Sequence, residues 1–423
     1  MVSSGMSGSM RQAVPASAST DVQRQRRAIF TIASATGVAS LSVLLWIPFL
    51  PLFMLQVGAT DDANAAFWVA AALTCQGVAR LIGGPLWGAL SDRLGRKKMF
   101  VRALFCTAAA TAVLAAIHSP WQLIIALSLQ GLAGGYTPAA VALASVSVPD
   151  DKLKSALSML SGSQYIGGAI GPAVGAVLAA AVGFRSAALI SALMVVAVGV
   201  AVMFAVPADS VAPRHSPGGG AQDVDGARPK LEPFRPGLQL GLAILVYFTL
   251  FALGNFRVVS TSLALKQIVT GDVMRSTGIA YAFGGLASAL GVLVLSAPVL
   301  RRMHLRTVLV ATTLLSAGSY FLLAASNGPV LFVLGFALAS LLNASMFPAT
   351  NTLIALNTSR SRRGTAFGLA SGAQAMAFMA GPMSATMFAA SSLKAGFMVI
   401  GALMVVLAVV IGMFIREPNP DTG

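Results

Sequence analysis

The chain has 423 residues, of which 57% are hydrophobic and only 10% are charged, and its net charge is +15. Soluble proteins carry about 25% charged residues, so this composition excludes an ordinary soluble protein and predicts one that lies in the membrane. Since a membrane-spanning helix takes about 20 apolar residues, the length allows about twelve spans with short loops. No room is left for a soluble catalytic domain.

Apolar stretches of span length follow one another in two sets of six. The first set is 29–56, 65–90, 99–118, 121–146, 155–182 and 185–206, and the second is 237–265, 274–299, 306–326, 329–353, 364–390 and 392–415. This predicts an all-α integral membrane protein made of two six-helix bundles, 28–206 and 237–415. Residues 1–27 are expected to form a disordered cytoplasmic tail rather than a signal peptide, 207–236 a cytoplasmic linker rich in Pro, Gly and charge, and 416–423 a second tail.

The positions of lysine and arginine test this arrangement, because cytoplasmic loops retain positive charge. With the N-terminus inside, 22 of the 28 basic residues fall on the inner side and two lie within spans. The four on the outer side are Arg185, Lys266, Arg275 and Lys394. Membrane orientation therefore explains the net charge, and no nucleic-acid partner is expected. Both termini are predicted to be cytoplasmic, and the short loops favour a bacterial inner membrane.

The two halves share an internal repeat. Five residues recur at an offset of 210 positions: Ser161, Gly162, Gln164, Gly171 and Pro172 correspond to Ser371, Gly372, Gln374, Gly381 and Pro382. The ends of the first spans agree at an offset of 211, with Gln56 on Gln267 and Asp61 on Asp272. A duplicated half predicts a pseudo-two-fold axis along the membrane normal, with a substrate site between the halves.

The loop after the second span carries a recognisable pattern. Gly88, Asp92, Arg93, Gly95, Arg96 and Lys97, which we call the signature loop, match G-x-x-x-D-R-x-G-R-K. This pattern resembles the signature loop of the major facilitator superfamily. The resemblance implies a conformational latch, in which Asp92 meets the opposing half near Arg360, Arg362 and Arg363 when the cytoplasmic side is closed.

The fifth span contains Gly167, Gly171, Pro172 and Gly175 in the order G-x-x-x-G-P-x-x-G. Glycines at this spacing form a bare helix face that lets a neighbouring helix approach closely, and the proline bends the helix. The pattern resembles a motif of the antiporter branch of the same superfamily, which contains many drug exporters. Ala176 stands where a further glycine is common in that motif.

The fourth span departs from the family pattern. Gln130 and Gly131 match the end of R-x-x-Q-G, but Leu127 occupies the arginine position. In proton-coupled exporters that arginine assists coupling, so the usual coupling route is in question here.

Charge within the membrane is confined to two arginines. All 13 acidic residues lie outside the predicted hydrocarbon region, while Arg80 lies about 18 Å before Asp92 along its helix and Arg257 lies in the seventh span. An arginine at a helix centre is costly unless it faces water or an acceptor. One hypothesis is that one or both hold an anionic or acceptor-rich cargo; the alternative is that they bond backbone carbonyls or extend toward the membrane surface.

Further polar and aromatic side chains are candidates for the cavity. The polar candidates are Gln130, Tyr136, Gln164, Asn255, Asn343, Asn351 and Gln374, and the aromatic candidates are Trp46, Phe49, Tyr247 and Phe251. Polar side chains between spans also join helices to one another, so the sequence leaves both roles open.

The resemblance covers 28–415 and implies a secondary active exporter of small organic molecules that works by alternating access and is coupled to proton entry. The first span, with Pro48 and Pro51, is similar to twelve-helix drug and tetracycline exporters. A dedicated exporter of an endogenous metabolite, such as a siderophore or an organic anion, remains an alternative. A membrane receptor or scaffold that transports nothing is a second alternative.

Enzymatic and metal chemistry are not expected. His118, His215 and His304 lie at loops or span ends without a carboxylate or cysteine at ligand spacing. Cys75 and Cys106 lie in apolar segments and are expected to pack rather than pair. No cofactor is expected. The expected partners are a small organic substrate, membrane lipid and a proton gradient, and the chain is expected to be a monomer.

Overall fold

The computed structural model describes residues 16–148, 150–207, 237–291, 304–358 and 363–415. The described residues are helical nearly throughout. The helices are α1 (Ala16–Trp46), α2 (Leu50–Gln56), α3 (Asp62–Leu94), α4 (Arg96–Ala115), α5 (Pro120–Ala133), α6 (Tyr136–Ser147), α7 (Asp150–Ala205), α8 (Leu238–Ile268), α9 (Val273–Leu290), α10 (Leu305–Ala325), α11 (Pro329–Leu356), α12 (Arg363–Ala389) and α13 (Leu393–Phe414), with a 3₁₀ turn at Ile47–Phe49.

Helix boundaries follow from side-chain caps and glycine turns. The carboxylate of Asp61 accepts a hydrogen bond of 2.8 Å from the Asn64 backbone N–H at the start of α3, and Asp272 does the same for Arg275 at the start of α9, at 3.0 Å. These are the two aspartates that the repeat aligns. Each satisfies a backbone donor that has no partner within the helix. Gly95 joins α3 to α4 with φ at 98°, a value that favours glycine.

The prediction of an all-α fold with many membrane-spanning helices is confirmed. Nine helices in the described part of the chain are long and apolar enough to cross a membrane. One of them, Gly162–Ala205, holds two spans, because Gly183 interrupts the helical backbone with φ at 79°. Helices α9 and α12 occupy the predicted eighth and eleventh positions.

Two boundaries differ from the prediction. Helix α1 begins at Ala16, inside the segment that was expected to be a disordered tail. The fourth span is two helices, since Gly134 and Gly135 break it between α5 and α6. Residues 208–236 of the predicted linker, 207–236, and the C-terminal tail from 416 lie outside the described residues.

The helix packing repeats between the halves. In the first half, α1 and α4 pack along α7, and α3 packs along α5. In the second half, the repeat-related α8 packs along α12, α9 packs along α11, and α10 packs along α13. The contacts between the halves are also paired, since α7 packs on α9 and α12 packs on α3. In each contact, the fifth span of one half packs on the second span of the other half. This is the arrangement expected of two halves related by a two-fold axis.

Candidate functional site

The two ends of the bundle differ in how they are tied together. At the end that contains Gly95, called the Gly95 end, Lys97 donates to the Met203 carbonyl at 2.7 Å, and the repeat-related Arg306 donates to the Gly412 carbonyl. These bonds stay within a half. At the opposite end, called the Asp61 end, the ammonium of Lys266 lies 2.5 Å from the Asp62 carboxylate and joins the two halves.

The glycine face of α7 packs directly on α1. A Cβ built on Gly171 would lie 2.7 Å from the Leu41 carbonyl oxygen, and one on Gly167 or Gly175 would overlap the carbonyl of Gly37 or Leu45. The three contacts advance by one helical turn each along both helices. The predicted close approach is therefore present, and its partner is the first span.

The same contact occurs in the second half. A Cβ on Gly381, the repeat partner of Gly171, would overlap the carbonyl of Ala252, which lies 211 positions after Leu41. It would also lie 2.8 Å from the Cβ of Asn255. Asn255 itself is buried and donates to the Phe251 carbonyl at 2.8 Å, so it belongs to the contact between α8 and α12.

The signature loop lies at the junction of α3 and α4. Arg96 donates to the Ala142 carbonyl at 3.0 Å and to the Ser145 hydroxyl at 2.9 Å, which ties α4 to α6. Arg93 is exposed in the last turn of α3. Gly88 and Asp92 lie in α3, but their side-chain environment lies outside the described part of the chain, as do Arg360 and Arg362 and the side chain of Arg363. The contact proposed for Asp92 therefore stays a prediction.

Arg80 lies between the two halves. Its side chain is exposed, and its guanidinium lies 5.9 Å from the ring centre of Phe378 on α12 of the opposite half. It also interacts electrostatically with Tyr136, the first residue of α6. Within the described residues it makes no hydrogen bond. Arg80 and Phe378 lie 14 and 15 residues from the ends of their helices at the Gly95 end, so both lie about 20 Å from that end.

Phe378 belongs to a group of four rings on the second half. Tyr247, Phe251, Phe347 and Phe378, the aromatic cluster, come from α8, α11 and α12, and all four are half-buried. Phe251 connects them, with centroid distances of 4.9 Å to Tyr247, 5.0 Å to Phe347 and 6.4 Å to Phe378. The sequence indicated the first two, but it held no periodic signal for Phe347 and Phe378, which join only through tertiary packing.

The other two predicted aromatic residues lie elsewhere. Trp46 and Phe49 are each 1% exposed and belong to the hydrophobic core beside α2. They cannot contribute an accessible wall, because their surfaces are already covered by neighbouring side chains. The prediction that they line the cavity is wrong.

Arg257 is held within its own half. Its Nη1 donates to the Ser340 hydroxyl on α11 at 2.9 Å, and its guanidinium lies 5.1 Å from the Phe336 ring centre. The Tyr281 hydroxyl donates to its backbone carbonyl at 3.3 Å. Its Nε is buried without a partner among the described residues. This arginine joins α8, α9 and α11, whereas Arg80 makes no such bonds.

Most predicted polar candidates join helices. Gln130 is buried and accepts from Gln76 of α3 at 2.6 Å, while it donates to Thr111 of α4 at 3.4 Å. Asn343 accepts from Ser316 at 2.9 Å and donates to Tyr320 at 3.3 Å. These bonds occupy their amide groups, which leaves little for a cargo to bind.

Three further polar candidates are half-buried. Gln164 is half-buried and donates to the Thr137 hydroxyl of α6 at 2.9 Å. Gln374 and Asn351 are half-buried, and Gln374 makes no hydrogen bond within the described residues. Gln374 lies one helical turn from Phe378 on α12, so it shares a face with the aromatic cluster.

Two side chains outside the sequence motifs, Trp87 and Arg102, donate to backbone carbonyls at the break in the fourth span. Trp87 donates to the Leu132 carbonyl at 2.6 Å, and Arg102 donates to the Gly134 carbonyl at 3.2 Å. The Arg102 guanidinium stacks on the Trp87 ring at 3.6 Å. Backbone carbonyls freed within a membrane need such donors, so the break is a stable feature of this half.

The family model described as Major Facilitator Superfamily matches residues 32–305 and 274–423. The chain belongs to this superfamily. It is therefore a multi-pass membrane transporter, and the predictions of family, fold class and absence of enzymatic function are confirmed.

Relatives and solved structures agree with this assignment. The transporter is 28% identical to the multidrug resistance protein MdtG of Escherichia coli O9:H4 (strain HS), over 88% of this chain and 90% of the relative. It is 29% identical to MdtG of Proteus mirabilis (strain HI4320), over 82% and 85%. The human organic anion transporter MFSD10 superposes with a TM-score of 0.62 at 19% identity, over 92% and 99% of the two chains. The nucleoside transporter NupG gives 0.68 at 15% identity, over 92% and 100%.

Proposed function

We propose that this transporter exports small organic molecules from the cytoplasm of a bacterium by alternating access, driven by the entry of protons. Its relatives are named multidrug resistance proteins, and this chain covers 90% and 85% of the two described above. The Gly95 end carries most of the basic residues, so we place it and both termini on the cytoplasmic side of the inner membrane.

One observation carries the proposal. Arg80 of the first half lies against Phe378 of the second, and Phe378 belongs to the aromatic cluster of four half-buried rings. Partly exposed rings at mid-membrane height bind apolar compounds through surface burial and ring contacts, which tolerate many shapes. A site of this kind fits cargo that is recognised by apolar character and size.

Alternating access requires contacts between the halves that open and close. The ion pair between Asp62 and Lys266 closes the Asp61 end, and α7 packs closely on α9 through Gly285 and the Ala169 carbonyl. The signature loop is the proposed latch at the other end. Two ends with separate contacts allow the transporter to release one while it holds the other.

Proton coupling has few candidate carboxylates. Asp61 and Asp272 cap helices and Asp62 is ion-paired, all at the Asp61 end. Hydrogen bonds from the Asn64 backbone hold the pKa of Asp61 below its ordinary value, so it stays ionised at neutral pH. Of these three, Asp62 is the one that contacts the other half, through Lys266.

The test is efflux from proteoliposomes with an imposed pH gradient, using a panel of neutral, anionic and cationic aromatic compounds. We expect efflux of several members, and loss of efflux when a protonophore collapses the gradient. Efflux that survives the protonophore would remove proton coupling and keep export. Loss of efflux of every compound in a well-folded preparation would remove export of this class.

A resistance profile separates broad export from the dedicated exporter. Overexpression of a multidrug exporter in a strain that lacks its own pumps should raise tolerance to several unrelated compounds. Protection against almost none, together with an endogenous metabolite that disappears from the medium of a deletion strain, would favour a dedicated exporter.

A further inference from the structure

Arg80 differs from two other arginines of the described helices, Arg102 and Arg257. Arg257 bonds to Ser340 and Arg102 bonds to the Gly134 carbonyl, whereas Arg80 makes no hydrogen bond among the described residues and is exposed. An exposed guanidinium at this depth is costly in hydrocarbon. Since Arg80 also contacts the opposite half through Phe378, its exposed face lies toward the space between the halves.

The N–H donors of Arg80, which make no hydrogen bond among the described residues, determine which chemical group can bind between the halves. A guanidinium presents N–H donors in a planar fork that matches a carboxylate or a sulfonate. Tyr136 interacts with it electrostatically. No protein carboxylate competes, because all 13 acidic residues lie outside the predicted spans.

The surroundings of Arg80 define the rest of the ligand. Phe378 lies beside its guanidinium, and the ring of Phe251 follows 6.4 Å further on. We propose that the cargo is an aromatic organic anion, whose acidic group binds Arg80 while its ring system packs on the aromatic cluster. This inference rests on the proposed function and specifies the chemical class that the same site accepts.

A cationic cargo fits the site less well. Aromatic rings attract cations, but the cation beside Phe378 is already Arg80, and a second positive charge there would be repelled. A neutral aromatic compound would use the rings and leave the Arg80 donors unsatisfied once water is displaced.

The experiment compares three naphthalene compounds on purified transporter in nanodiscs by equilibrium dialysis at neutral pH. 2-Naphthoate is the anion, 2-naphthamide is its neutral counterpart of nearly the same shape, and 2-naphthylmethylammonium is the cation. Because a hydrogen bond to a charged group is worth about tenfold in affinity, we expect the wild type to bind naphthoate at least about tenfold more tightly than naphthamide.

Variants of Arg80 and of the aromatic cluster test which side chains cause the preference for naphthoate over naphthamide. Arg80→Gln should bring naphthoate to the level of naphthamide, and Arg80→Lys should keep part of the difference. Phe251→Leu should weaken both compounds by a similar factor, because it removes ring contact only. Arg275→Gln is the matched control, since Arg275 is an exposed arginine in the first turn of α9, near the Asp61 end, and its loss should not change either affinity.

The outcomes decide the inference separately from the proposed function. Equal binding of naphthoate and naphthamide by the wild type, tighter binding of the cation, or a naphthoate preference that survives in a folded Arg80→Gln protein would each overturn it. In those cases, export of neutral or cationic compounds from proteoliposomes would still support the proposed function. If naphthoate binds as expected but no compound is exported, the proposed function fails and the anion site remains.

Discussion

Lys266 and Asp62 join the two halves of the transporter by an ion pair, with 2.5 Å between the ammonium and a carboxylate oxygen. The side chains are 41% and 23% exposed, so solvent screens the pair and limits its contribution. A partly exposed pair is worth up to about 1 kcal/mol, which corresponds to about a fivefold change in a two-state equilibrium.

Asp62→Asn should therefore shift the population toward the state that is open at the Asp61 end by up to about fivefold. Spin-label distances between the outer ends of α3 and α8 measure this shift. Exchange of the two residues, Asp62→Lys with Lys266→Asp, should restore the wild-type distribution. An unchanged distribution in Asp62→Asn would show that the pair does not hold this end closed.

The glycine face of α7 should not tolerate side chains. Gly175→Ala places a methyl group against the Leu45 carbonyl, so α1 and α7 must separate, and overpacking of this kind costs about 1–3 kcal/mol. We expect a lower melting temperature and reduced transport. Gly162→Ala on the same helix is the control, because nothing lies within 4 Å of its added Cβ. Equal melting temperatures for the two variants would contradict the close approach.

Asp61 should act as a helix cap rather than as the proton carrier. Because its pKa is lowered in the folded protein, the carboxylate contributes to stability above its ordinary pKa and loses that contribution as the pH falls through the lower folded value. Between about pH 5 and 8 it stays charged. Asp61→Asn should keep both the helix cap and the pH profile of transport, since asparagine caps helices equally well, while Asp61→Ala should lower the melting temperature. A displaced pH profile in Asp61→Asn would assign it a role in coupling.

Asp92 in the signature loop should be needed for cycling rather than for folding. Asp92→Asn removes the charge that we expect to meet the opposing half, so transport should fall to near background while the melting temperature changes little. Lys98→Gln, three residues beyond the loop glycine, is the control for loss of a charge at this end. Full transport by Asp92→Asn would leave the loop without the proposed latch role, and would agree with a receptor or scaffold.

The helices and their order were readable from the sequence because the membrane imposes a simple rule. Each span must be long and apolar, and each loop must hold the polar residues, so the hydropathy pattern predicts the spans directly. The repeat was readable for a related reason. Gly171 and Gly381 meet equivalent carbonyls in the two halves, so the same packing constraint preserved the same residue at both positions.

The break between α5 and α6 was harder to predict from the sequence. Gly134 and Gly135 stand in a stretch that is apolar enough for one continuous span, and glycine is common in such spans. What stabilises the break is Trp87 and Arg102, which come from two other helices and donate to the freed carbonyls. That pairing depends on how three helices pack.

The sequence by itself determined the membrane class, the two sixfold sets of spans, the signature loop and the glycine face, since each depends on residues close together in the chain or on a repeat within it. Only the tertiary structure decided which polar groups are already bonded within the bundle. Gln130 and Arg257 carry the same chemistry as Gln374 and Arg80, but among the described residues the first two are bonded to neighbouring helices and the second two are not. Helix rotation and packing set that difference, because a side chain already bonded within the bundle has few donors or acceptors left for a ligand.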